Sequence, residues 1–242
     1  MRQQLPFGLR PGQRVQLQSA HPDDISVMHG GVVDILQQGG VEVFTQVATD
    51  GEAGKGDTVF LYDGGRRGEE RRSLNELGVD DDHQEFLALP DGHMNHRWSY
   101  LRAFHGLRTS VVRNQIDAIV TVDPEGFDNH PDHKISFLSA LRVVQRLQHD
   151  TAGAPALWSL NPRHIGAESV KVESRRKLAS VAWHGGSQYT PADLDYGHEH
   201  SVLRPYEPLF YTETYDLVIP RRAGNLAVRP FLQNVRQLSY TG

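Results

Sequence analysis

Two short apolar runs, Val15 to Leu17 and Ala118 to Val122, each lead to a turn carrying histidine, proline and aspartate, and each turn passes into a segment of helical periodicity. The first turn is Ser19-Ala20-His21-Pro22-Asp23-Asp24; after it, Val27-Met28, Val32-Val33 and Ile35-Leu36 repeat at roughly helical spacing. The second is His130-Pro131-Asp132-His133, followed by Ile135, Leu138, Leu141, Val144 and Leu147 on one helical face. A strand that runs into a helix is the building unit of a parallel sheet covered on both faces. In such sheets ligands bind in the crevice beyond the carboxyl ends of the strands. Two junctions of this kind can therefore converge at one edge of one sheet.

The rest of the chain repeats the alternation. Strands are expected at Arg14–Ser19, Val41–Ala48, Glu85–Leu89, Ala118–Val122 and Ala156–Leu160, with a short one near Val170 and a late strand or hairpin within Leu209–Ile219. Helices are expected at Ser26–Gln38, Arg66–Leu77, Tyr100–Ile116, from His133 to about His149, and at Ser174–His184. Gly39-Gly40 and Gly78 read as helix stops, and Pro90-Asp91-Gly92 as a turn. The pattern predicts an α/β fold: one mostly parallel, Rossmann-like sheet with helices on both faces. With no internal repeat and no long linker, the whole of 1–242 is expected to be a single domain.

Composition narrows the chemistry. The net charge of -5 and the lack of a basic stripe argue against a nucleic-acid partner. The chain has no cysteine, so a metal here must be held by His and carboxylate, and a reducing cytoplasm is the expected location. Met1 to Arg14 lacks the apolar core of a signal peptide, and no apolar run reaches the roughly 20 residues that span a bilayer. The Gly-rich loop Thr49 to Gly56 is not a phosphate loop, because two residues, not four, separate Gly51 from Gly54-Lys55. Among the 13 histidines, His93 and His96 read as exposed, and His198-Glu199-His200 reads weakly as a second metal clip. Arg66-Arg67 and Arg71-Arg72, interleaved with Glu69-Glu70, read as a solvated helix face with i,i+4 pairs.

Imidazole nitrogen and carboxylate oxygen packed into four residues form a ligand set that suits zinc. The ordered motifs resemble the LmbE/PIG-L family of zinc-dependent deacetylases: Ala20-His21-Pro22-Asp23-Asp24 and His130-Pro131-Asp132-His133, with Thr49-Asp50-Gly51-Glu52, Arg67 and Glu70 before Leu77-Gly78-Val79, Leu89-Pro90-Asp91-Gly92, and Lys177 with His184 and Ser187-Gln188. Three features depart from the family pattern: Ile25 replaces a common Glu, Asn129 replaces a common Gly, and the spacing from His184 to Ser187-Gln188 is one residue longer than usual, which argues against a functional role for His184. The resemblance implies one Zn2+ per chain held by His21, Asp24 and His133, with Asp23 as general base. It also implies His130 as a charged group facing the oxyanion or leaving amine, Asp132 as its orienting partner, and Arg67 and Asp91 as sugar contacts.

The chemistry agrees with those roles. Two imidazoles and one carboxylate leave a coordination position open for water. A carboxylate outside the coordination shell can accept a proton and deliver it to an amine. Positive charge is needed where the carbonyl oxygen becomes an oxyanion. The implied activity is removal of an N-acetyl group from an N-acetylglucosamine-type amino sugar or its conjugate, a small-molecule substrate. Alternatives are hydrolysis of another amide, such as a thiol conjugate, and a catalytically silent sugar-binding protein. Sites built from two histidines and a carboxylate also accept iron, cobalt or manganese.

Overall fold

The sheet is wound about β1 (Arg14–Ser19), which pairs in parallel with β2 (Glu42–Thr49) on one side and with β4 (Ala118–Thr121) on the other. A computed structural model describes residues 4–53, 64–127, 129–150, 153–161, 168–171, 175–184 and 212–219. Among these residues, seven strands form one sheet in the order β3-β2-β1-β4-β5-β7-β6. β3 (Gln84–Leu89) and β5 (Ala156–Leu160) extend the parallel portion, and β7 (Thr212–Ile219) joins β5 and β6 (Glu168–Lys171) antiparallel. The fold is α/β and mostly parallel, as the alternation implied. After β1 the chain builds outward through β2 and β3, then crosses back to place β4 on the other side of β1. That reversal is a topological switch point, where a crevice opens beyond the strand ends. The two histidine turns follow β1 and β4, the two strands that flank it.

The helices are α1 (Gly30–Gln38), α2 (Gly65–Glu76), α3 (Arg97–Arg113), α4 (Pro131–Asp150) and α5 (Arg175–Ala182). Val15, Leu17, Val43, Val47, Ile119, Val120 and Leu157 are fully buried strand residues. Burying such a side chain contributes about 1.5–3 kcal/mol relative to leaving it in water. The alternation in β1 resembles a strand with one wet face, yet Gln16 and Gln18 are as buried as Val15 and Leu17. The Gln16 Oε1 accepts the Ser110 hydroxyl of α3 at 2.8 Å, so the polar face is matched to a helix instead of solvent. No helix among the described residues is long and apolar enough to cross a membrane.

Two regions depart from the sequence reading. The helix after β1 starts as a π turn over Ile25–His29 before α1, a widening of the kind that recurs at functional sites. In α2, Glu69 and Glu70 are fully buried, so the Arg/Glu-rich segment is no solvated face. Its apolar content is too small to reveal the burial; the partners come from α5, far along the chain. The predicted features at Ser187-Gln188, His198-Glu199-His200 and the tail from Arg221 lie outside the described residues.

A buried ion pair locks α5 and β7 to the amino end of α1. Lys177 Nζ lies 2.6 Å from Glu213 Oε1, with both side chains almost fully buried. The Glu213 carboxylate also accepts the Gly31 and Val32 backbone N–H groups, each at 2.8 Å. Burial pushes the Lys177 ammonium down from its ordinary value, and Glu213 opposes that shift. Gly30 lets the lysine stem approach, since a Cβ there would sit 3.0 Å from Lys177 Cγ. Lys177→Met leaves the carboxylate buried without its cation. The expected loss is about 3–5 kcal/mol of folding stability, read from urea unfolding midpoints; a loss near zero would show that the helix amides and the Tyr215 hydroxyl satisfy Glu213 without the lysine.

Candidate metal centre

The turn after β1 folds around the Asp24 carboxylate. Its Oδ2 accepts the backbone N–H groups of Ala20 at 3.0 Å and His21 at 2.8 Å. Oδ1 faces His133 Nε2 at 3.2 Å. Thr49, at the end of β2, donates both its N–H and its hydroxyl to the Ala20 carbonyl, at 2.8 and 2.9 Å, which pins the turn to the sheet. On the other side, Pro131 opens α4, where a missing N–H carries no penalty. His133 therefore sits in the first turn of α4 and points back toward β1.

His21, Asp24 and His133 meet. His21 Nδ1 lies 3.2 Å from His133 Nε2 and 3.6 Å from Asp24 Oδ2. For metal–ligand bonds of about 2.0–2.1 Å, the edge of a tetrahedron is about 3.3–3.4 Å. The three contacts lie near that length, with the two histidines meeting different Asp24 oxygens, and the three residues are a group that could hold a metal ion. His21, His130 and Asp132 form a second such group that shares His21.

The outer atoms of both rings are also engaged. His133 Nδ1 lies 3.2 Å from the Gly126 carbonyl oxygen. Gly126 has φ +76°, and a Cβ there would come within 2.7 Å of the His130 carbonyl oxygen, so the close turn requires glycine. His21 Nε2 lies 3.1 Å from Asp91 Oδ1 and 3.5 Å from Asp132 Oδ2. A carboxylate behind a ligating histidine is the usual means of fixing its tautomer and raising its basicity. Burial would lower His21, but Asp132, Asp24 and Asp91 together hold it well above its ordinary value. Burial would raise Asp24, but the His133 and His21 rings hold it well below the usual carboxylate range. Burial opposes the same shift at Asp91, which the His21 contact and the Ala53 N–H bring down to about 2. Three carboxylates around one imidazole leave an excess of negative charge that calls for a cation.

Two residues stand differently from the sequence reading. Asp132 does not orient His130 through its carboxylate, which accepts the Gly92 and Met94 N–H groups at 2.7 and 3.0 Å and faces His21. Instead the Asp132 backbone N–H donates to His130 Nδ1 at 3.2 Å, the bond a helix N-cap makes. The His130 ring is thereby tied through Nδ1 to the start of α4. The His130 ring packs against His21 and His133 with centroids 4.6 and 5.0 Å away. Asp91 faces His21 and the Ala53 N–H, so its carboxylate is engaged behind a ligand. Asp91→Ala is expected to weaken metal binding about 10–100-fold, measured by competition with a chromogenic chelator. An unchanged affinity would remove Asp91 from the centre.

Asp23 has φ +106°, well outside the regions that side chains other than glycine favour. Such a conformation costs of order 1–3 kcal/mol and persists only where the surroundings over-determine it. Its carboxylate Oδ1 lies 3.5 Å from Arg66 Nη2, which also donates to the Pro22 carbonyl at 3.1 Å. Arg67 is turned to Asp50 and is 41% exposed, so the arginine beside Asp23 is Arg66. The Asp23 N–H donates to Glu70 Oε2 at 3.1 Å, and His184 Nε2 lies 3.2 Å from the same oxygen. Glu70 and His184 are fully buried. The motif resemblance contained both, but helix periodicity in α2 carried no signal for them. Asn129 adopts φ +68°, a left-handed conformation that Asn tolerates, which accounts for its standing where Gly is usual. Ile25 is fully buried in the core and has no polar role.

Residues 17–144 match a family model described as PIG-L, GlcNAc-PI de-N-acetylase. A 1D-myo-inositol 2-acetamido-2-deoxy-alpha-D-glucopyranoside deacetylase of Streptomyces avermitilis is 30% identical over 196 residues, covering 65% of this chain and 65% of that protein. The chain thus spans a little under two thirds of that relative's length. Among solved structures, the N,N'-diacetylchitobiose deacetylase of Pyrococcus horikoshii superposes with a TM-score of 0.63 at 21% identity, covering 84% of this chain and 82% of its own. The 4-carboxy-2-hydroxymuconate hydratase of Pseudomonas putida superposes with a TM-score of 0.61 at 19% identity, covering 89% of this chain and 100% of its own. At such identities these likenesses show the fold alone, and the fold hosts more than one chemistry.

Proposed function

We propose, from the premise that this chain belongs to the PIG-L family of GlcNAc-PI de-N-acetylases, that it is a zinc-dependent hydrolase removing an N-acetyl group from an N-acetylglucosamine-type sugar or its conjugate. The observation that carries this reading is the triangle of His21 Nδ1, His133 Nε2 and the Asp24 carboxylate, with contacts of 3.2 to 3.6 Å. His21, Asp24 and His133 would hold one Zn2+ per chain. A divalent ion so bound supplies a water acidified to a pKa of roughly 7 and Lewis-acid polarisation of the amide carbonyl.

The remaining work falls to the chain's own side chains. Asp23, next to a ligand but outside the triangle, accepts the proton of the water that attacks the carbonyl and delivers it to the departing amine nitrogen. His130, held through Nδ1 by the Asp132 N–H, presents Nε2–H as a donor to the oxyanion. Asp91 and Asp132 orient His21, and the Gly126 carbonyl orients His133. Arg67, partly exposed and paired with Asp50 at the edge of the centre, remains the proposed sugar contact.

The relative of Streptomyces avermitilis, a deacetylase of an acetamido sugar joined to inositol, supports the amino-sugar class. The test is release of acetate and free amine from a panel of N-acetylated amino sugars by zinc-loaded protein. Release from a glucosamine conjugate is expected. Turnover confined to amides without a sugar would move the reading to another amidase, and no release at all, with zinc bound, to a binding protein.

A further inference from the structure

We propose that Glu70 is the positioning residue that holds the Asp23 peptide in its positive-φ conformation and so sets where the Asp23 carboxylate points. The inference rests on the reading of Asp23 as the general base, but its physical content is separate. Asp23 at φ +106° is strained, and its surroundings must supply what keeps it there. On the carbonyl side of the residue, the Ser26 hydroxyl and the Val27 N–H donate to the Asp23 oxygen, each at 2.9 Å. Those contacts belong to the first turn of the helical segment and would form in an ordinary conformation too. On the amide side, the peptide that φ rotates has its N–H donated to Glu70 Oε2 at 3.1 Å.

Glu70 is well suited to that task. It is completely buried on α2, one turn after Arg66, whose guanidinium donates to the Pro22 carbonyl at 3.1 Å. The acid and the base of α2 therefore grip the two ends of a single peptide unit, the Pro22 C=O and the Asp23 N–H. His184 Nε2, equally buried, lies 3.2 Å from the same oxygen, within ion-pair distance but without hydrogen-bond geometry. His184 ends the α5 region, which packs on α2.

The test compares Glu70→Met, which keeps length but has no acceptor, with Glu70→Gln, which keeps one. The Met variant is expected to lose about 10²-fold in kcat, the scale of a roughly 1 Å misplacement of a reacting group, with KM changed less than about threefold and zinc still one per chain. The Gln variant is expected to recover to within about tenfold of the parent. Equal losses in the two variants, or loss of zinc along with activity, would overturn the assignment.

A second readout needs no activity. Glycine retains the N–H that Glu70 accepts but relieves the φ strain. Asp23→Gly should therefore raise the Tm more in the parent than in the Glu70→Met background, by about 2–4 °C; additive shifts overturn the proposal. Should the Met variant not fold, hydrogen exchange in the unmodified chain decides the matter. The Asp23 amide is expected to be protected by at least about 10³-fold, and exchange at the rate of an open loop overturns the proposal. If no N-acetylated sugar is turned over by the parent, the function reading fails while the thermal and exchange results still judge the role of Glu70.

Discussion

His133→Ala is expected to release the metal ion and take turnover below detection while the sheet stays folded. The ring is nearly fully buried, with Nε2 against both other members of the triangle. Its Nδ1 is engaged with the Gly126 carbonyl, which fixes the ring in that position. Removing an outer partner of a metal ligand weakens affinity about 10–100-fold, and removing the ligand itself goes further. Of the triangle only two donors then remain, one carboxylate and one imidazole. Elemental analysis of the purified variant, beside its rate on the best substrate of the panel, checks this. A variant that keeps stoichiometric zinc would exclude His133 from the centre.

Asp23→Asn separates chemistry from metal binding. Asparagine is nearly isosteric, tolerates positive φ, and keeps the backbone N–H that Glu70 accepts. It cannot accept the proton of an attacking water. The expected result is zinc retained at one per chain and kcat lower by about 10²–10⁴-fold, the usual contribution of a positioned general base. A rate within about threefold of the parent, at full zinc occupancy, would assign the base elsewhere. The pair of variants is informative together: His133→Ala loses metal and rate, Asp23→Asn loses rate alone.

The strand and helix positions were legible because they rest on local periodicity. β1, β5 and the helix that follows the second histidine turn lie where apolar spacing places them. The late strand Thr212–Ile219 falls inside the aromatic and β-branched stretch that predicted it. What periodicity cannot report is which polar residues are covered. Gln16 and Gln18 look solvent-facing in a single strand but lie beneath helices, and Glu69 and Glu70 look like half of a surface charge pattern but are buried. The reason is the same in both cases: the covering residue, such as Ser110 or His184, is distant in sequence and supplied by the tertiary arrangement.

The same division holds at the centre. Residue type and local order already contained the ligand chemistry, since His-Pro-Asp-Asp and His-Pro-Asp-His offer imidazole and carboxylate donors at two strand ends and a chain without cysteine has no thiolate to compete. The alternation of strands and helices likewise implied the sheet, because each pattern can bury its apolar face in only a few ways. Only the folded arrangement decided the rest. The strand order put β1 beside β4 and so brought His21 to His133. It turned Asp91 and Asp132 toward His21, made His130 the cap of α4, and set Arg66, not Arg67, against Asp23. Those are questions of direction and distance between residues tens to more than a hundred positions apart. Spacing along a chain carries no information about them until the sheet closes.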